Sequence, residues 1–102
     1  MMTMRAAAPD LEQARRLVLD KLRGYDVEVY LYGSFARGKG ALGSDIDIAL
    51  LPRRPIPQHV LSDLRHELED SPVLYNVDLV DLSQTGPEFR QRVLREGIRW
   101  NE

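Results

Sequence analysis

The sequence predicts a small α/β domain, a β-sheet covered by helices on at least one face. Three observations carry this. Segments 27–32 and 45–51 alternate at period two, and a third strand-like stretch follows at 73–82. Around them lie three stretches with apolar residues every three or four positions, the mark of helices. At 102 residues, 43% of them hydrophobic and 29% charged, the chain has a globular balance near the usual minimum size for one mixed core.

The first helix is expected over 10–23. Asp10 and Gln13 can form a capping box, Leu11, Ala14, Val18 and Leu22 share one face, and Gly24 ends it. Residues 1–9 are expected to be a flexible lead. In the first strand Val27, Val29 and Leu31 alternate with Glu28, Tyr30 and Tyr32. Gly33 to Gly43 holds four glycines and reads as a loop with at most a turn of helix. In the second strand Asp45, Asp47 and Ala49 take one face and Ile46, Ile48 and Leu50 the other, until PRRPIP (52–57) ends it. A helix over 58–70 presents Val60, Leu61, Leu64 and Leu68, and Ser71-Pro72 breaks it. After the third strand, a last helix starts near Pro87, buries Phe89, Val93 and Leu94, and is capped by Gly97, leaving Ile98 and Trp100 to close the core.

Composition excludes several classes. A net charge of −2 is not the basic excess of a duplex-binding domain, so direct nucleic-acid binding is not expected. No run of 18 apolar residues could span a membrane, and MMTMRAAAPD lacks the leucine-rich core of a signal peptide. Without cysteine there are no disulfides or zinc–thiolate sites, which fits a cytoplasmic protein.

The chemistry starts with Asp45-Ile46-Asp47. Residues i and i+2 of a strand point the same way, roughly 6–7 Å apart. Two such carboxylates repel unless a cation or solvent offsets them, and a solvated strand face would show the same pair. Asp78 shifts the balance, because it lies within apolar Val77-Asp78-Leu79-Val80 where β propensity disfavours aspartate. Asp81 competes for this role, but parity places it on the opposite face, at a strand end where turn-capping aspartates are common. Gly33-Ser34-Phe35-Ala36-Arg37-Gly38 directly follows a strand. Its glycine lets backbone N–H groups approach an anion, Ser34 adds a hydroxyl, and Arg37 and Lys39 can neutralise phosphate charge. Gly33 to Lys39 also matches the start of a Walker A loop, yet Gly40 stands where Ser or Thr should hold Mg²⁺, so this match is accidental. Together the pieces fit two Mg²⁺ ions clamped by three carboxylates, with a nucleoside triphosphate resting on the glycine turn.

G-S-x-A-R-G, five residues, S-D-I-D-I and a later V-D-L-V-D-L resemble the DNA polymerase β superfamily of nucleotidyltransferases. Within it the chain is similar to the minimal MNT type, small proteins paired with a helical HEPN protein. The resemblance implies a small mixed sheet of three to four strands covered by helices. It also implies Asp45, Asp47 and Asp78 as catalytic metal ligands, and a nucleotide-binding set of Gly33, Ser34, Arg37, Lys39 and Ser44. The implied reaction transfers AMP from ATP, with pyrophosphate released, to a tyrosine of a HEPN toxin, making the chain an antitoxin in a hetero-oligomer. The scaffold uses almost all 102 residues, so the acceptor is expected to bring its own binding surface. The alternatives are neutralisation of a partner by contact alone, and adenylyl transfer to a small molecule. Tyr30, Tyr32 and Phe35 read first as packing residues, His59 and His66 as surface. Arg90, Arg92, Arg95 and Arg99 read as a solvated face or a docking face for an acidic partner.

Overall fold

The computed structural model describes residues 2–41 and 43–101. Helix α1 (Met2–Lys21) leads into strand β1 (Val27–Tyr32), and after the glycine loop β2 (Ile46–Pro52) returns beside it. Helix α2 (Gln58–Asp70) then crosses to β3 (Val77–Asp81). A 3₁₀ turn (Leu82–Gln84), α3 (Pro87–Glu96) and the two-residue β4 (Ile98–Arg99) complete the chain. The sheet order is β3-β2-β1-β4, with β2–β3 parallel and the other two pairings antiparallel. The parallel pair requires a crossover, and α2 supplies it. Among the described residues no helix is long and apolar enough to cross a membrane.

Both faces of the sheet are covered. The period-two alternation sends Val27, Val29, Leu31, Ile46, Ile48, Leu50 and Leu79 to one face. There they meet Ala14, Val18 and Leu22 of α1 and Val60, Leu61, Leu64 and Leu68 of α2. Ile46, Ile48 and Leu50 are fully buried, each stabilising the fold by about 1.5–3 kcal/mol. On the other face Tyr30, Ala49, Leu82 and Val93 form a smaller cluster, with Tyr32, Val80 and Phe89 packed against it. Helix α3 therefore covers the face that carries Asp47.

Several elements depart from expectation. Helix α1 starts at Met2 rather than residue 10. Of residues 1–9, expected as a flexible lead, Met2 to Pro9 belong to it, and Met1 lies outside the described residues. Ala6, Ala7 and Ala8 are strong helix formers that leave no apolar period to read. Asp10 is consequently not a helix cap; its Oδ1 accepts the Leu74 N–H at 3.0 Å and ties α1 to the loop before β3. That loop takes residues expected in the third strand, which begins only at Val77.

The chain end differs as well. Leu94 on α3 is exposed rather than buried, and so is Ile98, because residues 98–99 form the edge strand β4 instead of a core closure. Trp100 does pack against the main core. Beyond it the Asn101 side chain continues the sheet's pairing: its Oδ1 accepts from Val29 N at 2.9 Å and its Nδ2 donates to Val27 O at 2.7 Å.

Candidate active site

The sheet register assembles the site. Asp47 on β2 is paired with Tyr32 of antiparallel β1 and with Asp78 of parallel β3. Paired residues on adjacent strands share a face, so Tyr32, Asp47 and Asp78 form a row across three strands. Asp45 stands two residues before Asp47 on the same parity, just ahead of β2, and is exposed. Asp47 is half-buried and Asp78 exposed on the edge strand.

The row concentrates negative charge. Burial holds the Asp47 carboxyl above its ordinary value, the charges of Asp78 and Asp45 push the same way, and Arg37 opposes them. Burial likewise pushes the Tyr32 phenol up to about 12, helped by Asp47 and Asp78 and opposed by Arg92. Among the described residues, none of the three aspartates makes an ion pair with Lys or Arg. Nor do any three His, Cys, Asp or Glu side chains there form a ready-made metal cage. Oxygen-only carboxylates are the donor set a hard divalent cation prefers.

Gly33 closes one side of the row. Its φ is +77°, a left-handed conformation suited to glycine, and a Cβ there would overlap Asp47 Oδ2 and lie 3.1 Å from its Cγ. From Gly33 the chain winds through one tight turn. Arg37 N donates to the carbonyls of Gly33 and Ser34 at 3.2 Å each, and Lys39 N donates to Ser34 O at 2.9 Å. The turn is anchored by Phe35, which is buried and meets Tyr75 edge-on at 5.3 Å. Gly40 lies under that ring, so a side chain there would overlap it. This packing, together with the antiparallel β1–β2 pair, accounts for glycine at the position a Walker A loop would fill with Ser or Thr.

Not every expected residue gathers here. Tyr32, Gly33 and Arg37 line an open pocket of about 330 Å³ together with Arg92, Val93 and Glu96 of α3. Lys39 and Ser44 are outside that lining; the Ser44 hydroxyl accepts from Ala41 N at 3.1 Å and closes the glycine loop. Asp81 faces away, and its Oδ1 accepts from Ser83 N at 2.9 Å and from Ser83 Oγ at 2.7 Å, capping the 3₁₀ turn. Asp78 is therefore the aspartate opposite Asp47.

Sequence reasoning missed the contribution of α3. Arg92 is not part of a uniform solvated face: its guanidinium lies over the Phe89 ring, 5.4 Å from the centroid. Phe89 meets Tyr32 edge-on at 5.7 Å. Arg90 is partly buried, and Arg99 lies on β4 near Glu28 at 3.8 Å. The Phe89–Arg92 spacing of i, i+3 was the available signal. His59 and His66 are exposed on α2, as expected.

Residues 22–100 match the family model "Polymerase beta, Nucleotidyltransferase". The chain belongs to this nucleotidyltransferase family. It is 30% identical over 66 residues to the "Probable protein adenylyltransferase MntA" of Haemophilus influenzae, a match covering 65% of this chain and 58% of that protein. Among solved structures, a toxin–antitoxin with AMP-PNP superposes with a TM-score of 0.69 at 29% identity, over 85% of this chain and 72% of that one. A second structure contains a tri-AMPylated HEPN toxin of Shewanella oneidensis in complex with its MNT antitoxin. It matches with a TM-score of 0.67 at 25% identity, over 93% of this chain and 71% of that one. The mixed four-stranded sheet with three helices is thus a nucleotidyltransferase fold, as its glycine turn and paired aspartates predicted.

Proposed function

We propose that this nucleotidyltransferase uses Mg²⁺ to transfer AMP from ATP to a tyrosine hydroxyl of a HEPN partner and so serves as the antitoxin of the pair. The observation that carries the reading is the register of Asp47 with Asp78, set against a glycine that leaves room for the Asp47 carboxylate. The relatives add support: one is named a protein adenylyltransferase, one structure holds AMP-PNP, and one holds a HEPN toxin modified by AMP. The reaction belongs in the cytoplasm, where ATP is supplied.

In this reading Asp45, Asp47 and Asp78 hold the divalent ions, which when bound supply neutralisation of phosphate charge and a more acidic acceptor hydroxyl. The chain's own residues do the rest. The Gly33-Ser34 turn and Arg37 bind and orient the triphosphate. Asp78, on the exposed edge strand, is placed to take a proton from an acceptor arriving from outside. The acceptor oxygen then bonds to the α-phosphorus, the bond to the bridging oxygen breaks, and pyrophosphate leaves.

The test is incubation of the purified chain with Mg²⁺, ATP labelled at the α-phosphate and the HEPN partner, beside an Asp47→Asn control. A labelled partner band that vanishes in the control is the expected result. An unlabelled partner whose toxicity is still neutralised by Asp47→Asn would establish contact inhibition instead. Turnover of ATP without a labelled protein would point to a small-molecule acceptor.

A further inference from the structure

The pocket that includes Tyr32 of the row is lined by two arginines, and they come from different parts of the chain. Arg37 of the glycine turn and Arg92 of α3 both line it, together with Tyr32 and Gly33. Val93 and the Glu96 carboxylate complete the lining. Among the described residues neither arginine makes an ion pair with Asp or Glu, whereas Arg15, Arg16, Arg23, Arg53 and Arg99 each do. Arg92 is nevertheless held: it rests on Phe89, which is braced edge-on against Tyr32, the first residue of the catalytic row. An exposed long side chain fixed by an aromatic platform loses less freedom when it binds an anion.

The charge arithmetic gives this arrangement a purpose. A triphosphate brings several negative charges to a site that already carries the carboxylates of Asp45, Asp47 and Asp78, so cations are needed beside them. A second guanidinium in the same lining can grip phosphate oxygens in a bidentate fork, as Arg does more readily than Lys.

We propose that Arg92 is a positioning residue for the nucleotide, a second arm that holds the polyphosphate from the α3 side while Arg37 holds it from the turn. The inference rests on the nucleotidyltransferase reading above and assigns α3 a share in substrate binding.

The experiment measures the Kd of Mg·ATP by calorimetry, and KM and kcat with the HEPN partner, for wild type and single variants. Arg92→Met keeps an apolar stem against Phe89, Arg92→Lys keeps the charge without the fork, and Arg95→Ala removes an α3 charge outside this pocket. Arg92→Met should weaken Mg·ATP binding about tenfold, the loss of one charge-assisted contact. The loss should appear in Kd and KM more than in kcat. Arg92→Lys should recover part of it, and Arg95→Ala should bind like wild type. Unchanged affinity in Arg92→Met, with Arg37→Ala weakened, would overturn the inference and leave the nucleotide site intact. Equal weakening in Arg95→Ala would also overturn it, since a general field and not a clamp would then be at work. Failure of the wild-type chain to bind Mg·ATP would sink the nucleotide reading itself.

Discussion

Gly33 and Asp47 are packed so closely that a Cβ on residue 33 would occupy the space of the Asp47 Oδ2. Gly38 offers a natural comparison, because its φ of +72° is almost the same as the +77° of Gly33 but nothing lies within 4 Å of its absent Cβ. Alanine at either position costs about 1 kcal/mol of backbone strain. Only Gly33→Ala also displaces the carboxylate, and a displacement of about 1 Å at a reacting group can cost roughly a hundredfold in rate. Thermal melts of the two variants should therefore be similar, while labelled-ATP transfer falls about a hundredfold in Gly33→Ala alone.

Asp78 and Asp81 are three residues apart on β3, and the proposed function gives them separate roles. Asp78→Asn should reduce transfer by about a thousandfold, since a lost metal contact costs several kcal/mol in the transition state. Its stability should hold, because Asp78 is exposed and makes no ion pair among the described residues. Asp81→Ala should show the reverse pattern. It deletes the cap of the 3₁₀ turn and should cost about 1 kcal/mol in urea denaturation with transfer preserved. Matching losses of activity in both variants would contradict the assignment.

Glu28 gives the fold a pH dependence on the acid side. The Tyr30 hydroxyl donates to its carboxylate, and Arg53 and Arg99 lie nearby, so its pKa is lowered from the ordinary 4.5 even though burial opposes this. A lowered folded-state pKa means a contribution that is complete above 4.5 and disappears as pH falls through the folded value. Melting midpoints of wild type and Glu28→Gln should differ near neutral pH and converge in acid. A constant gap at all pH values would show that packing, not charge, is responsible.

Asn101 is a small residue with a large structural task, since its amide satisfies both Val29 N and Val27 O on β1. Asn101→Ala leaves two part-buried backbone groups without that partner. Chemical denaturation should register a loss of about 1–3 kcal/mol. Asp47→Asn, which touches neither group, should not reproduce it.

Much of this protein was written locally. The alternation of Val27, Val29 and Leu31, and of Ile46, Ile48 and Leu50, identified the core faces, because side-chain parity in a strand needs no knowledge of its neighbours. The same parity placed Asp45 with Asp47 and set Asp78 apart from Asp81. Glycine at 33 and 40 likewise reported local constraint, though only packing revealed what fills the space: the Asp47 carboxylate at one, the Phe35 ring at the other.

What the tertiary structure alone decided is how strands meet. Parity gives a face but neither a direction nor a register, so nothing in the sequence stated that Asp78 pairs with Asp47 on a parallel strand. The same limit hid Ile98 on an edge strand, where a two-residue segment has too little pattern to read. It also hid Arg92, which reaches the pocket only because α3 packs across the face that carries Tyr32. These relationships depend on long-range burial, and burial is settled by the whole chain at once.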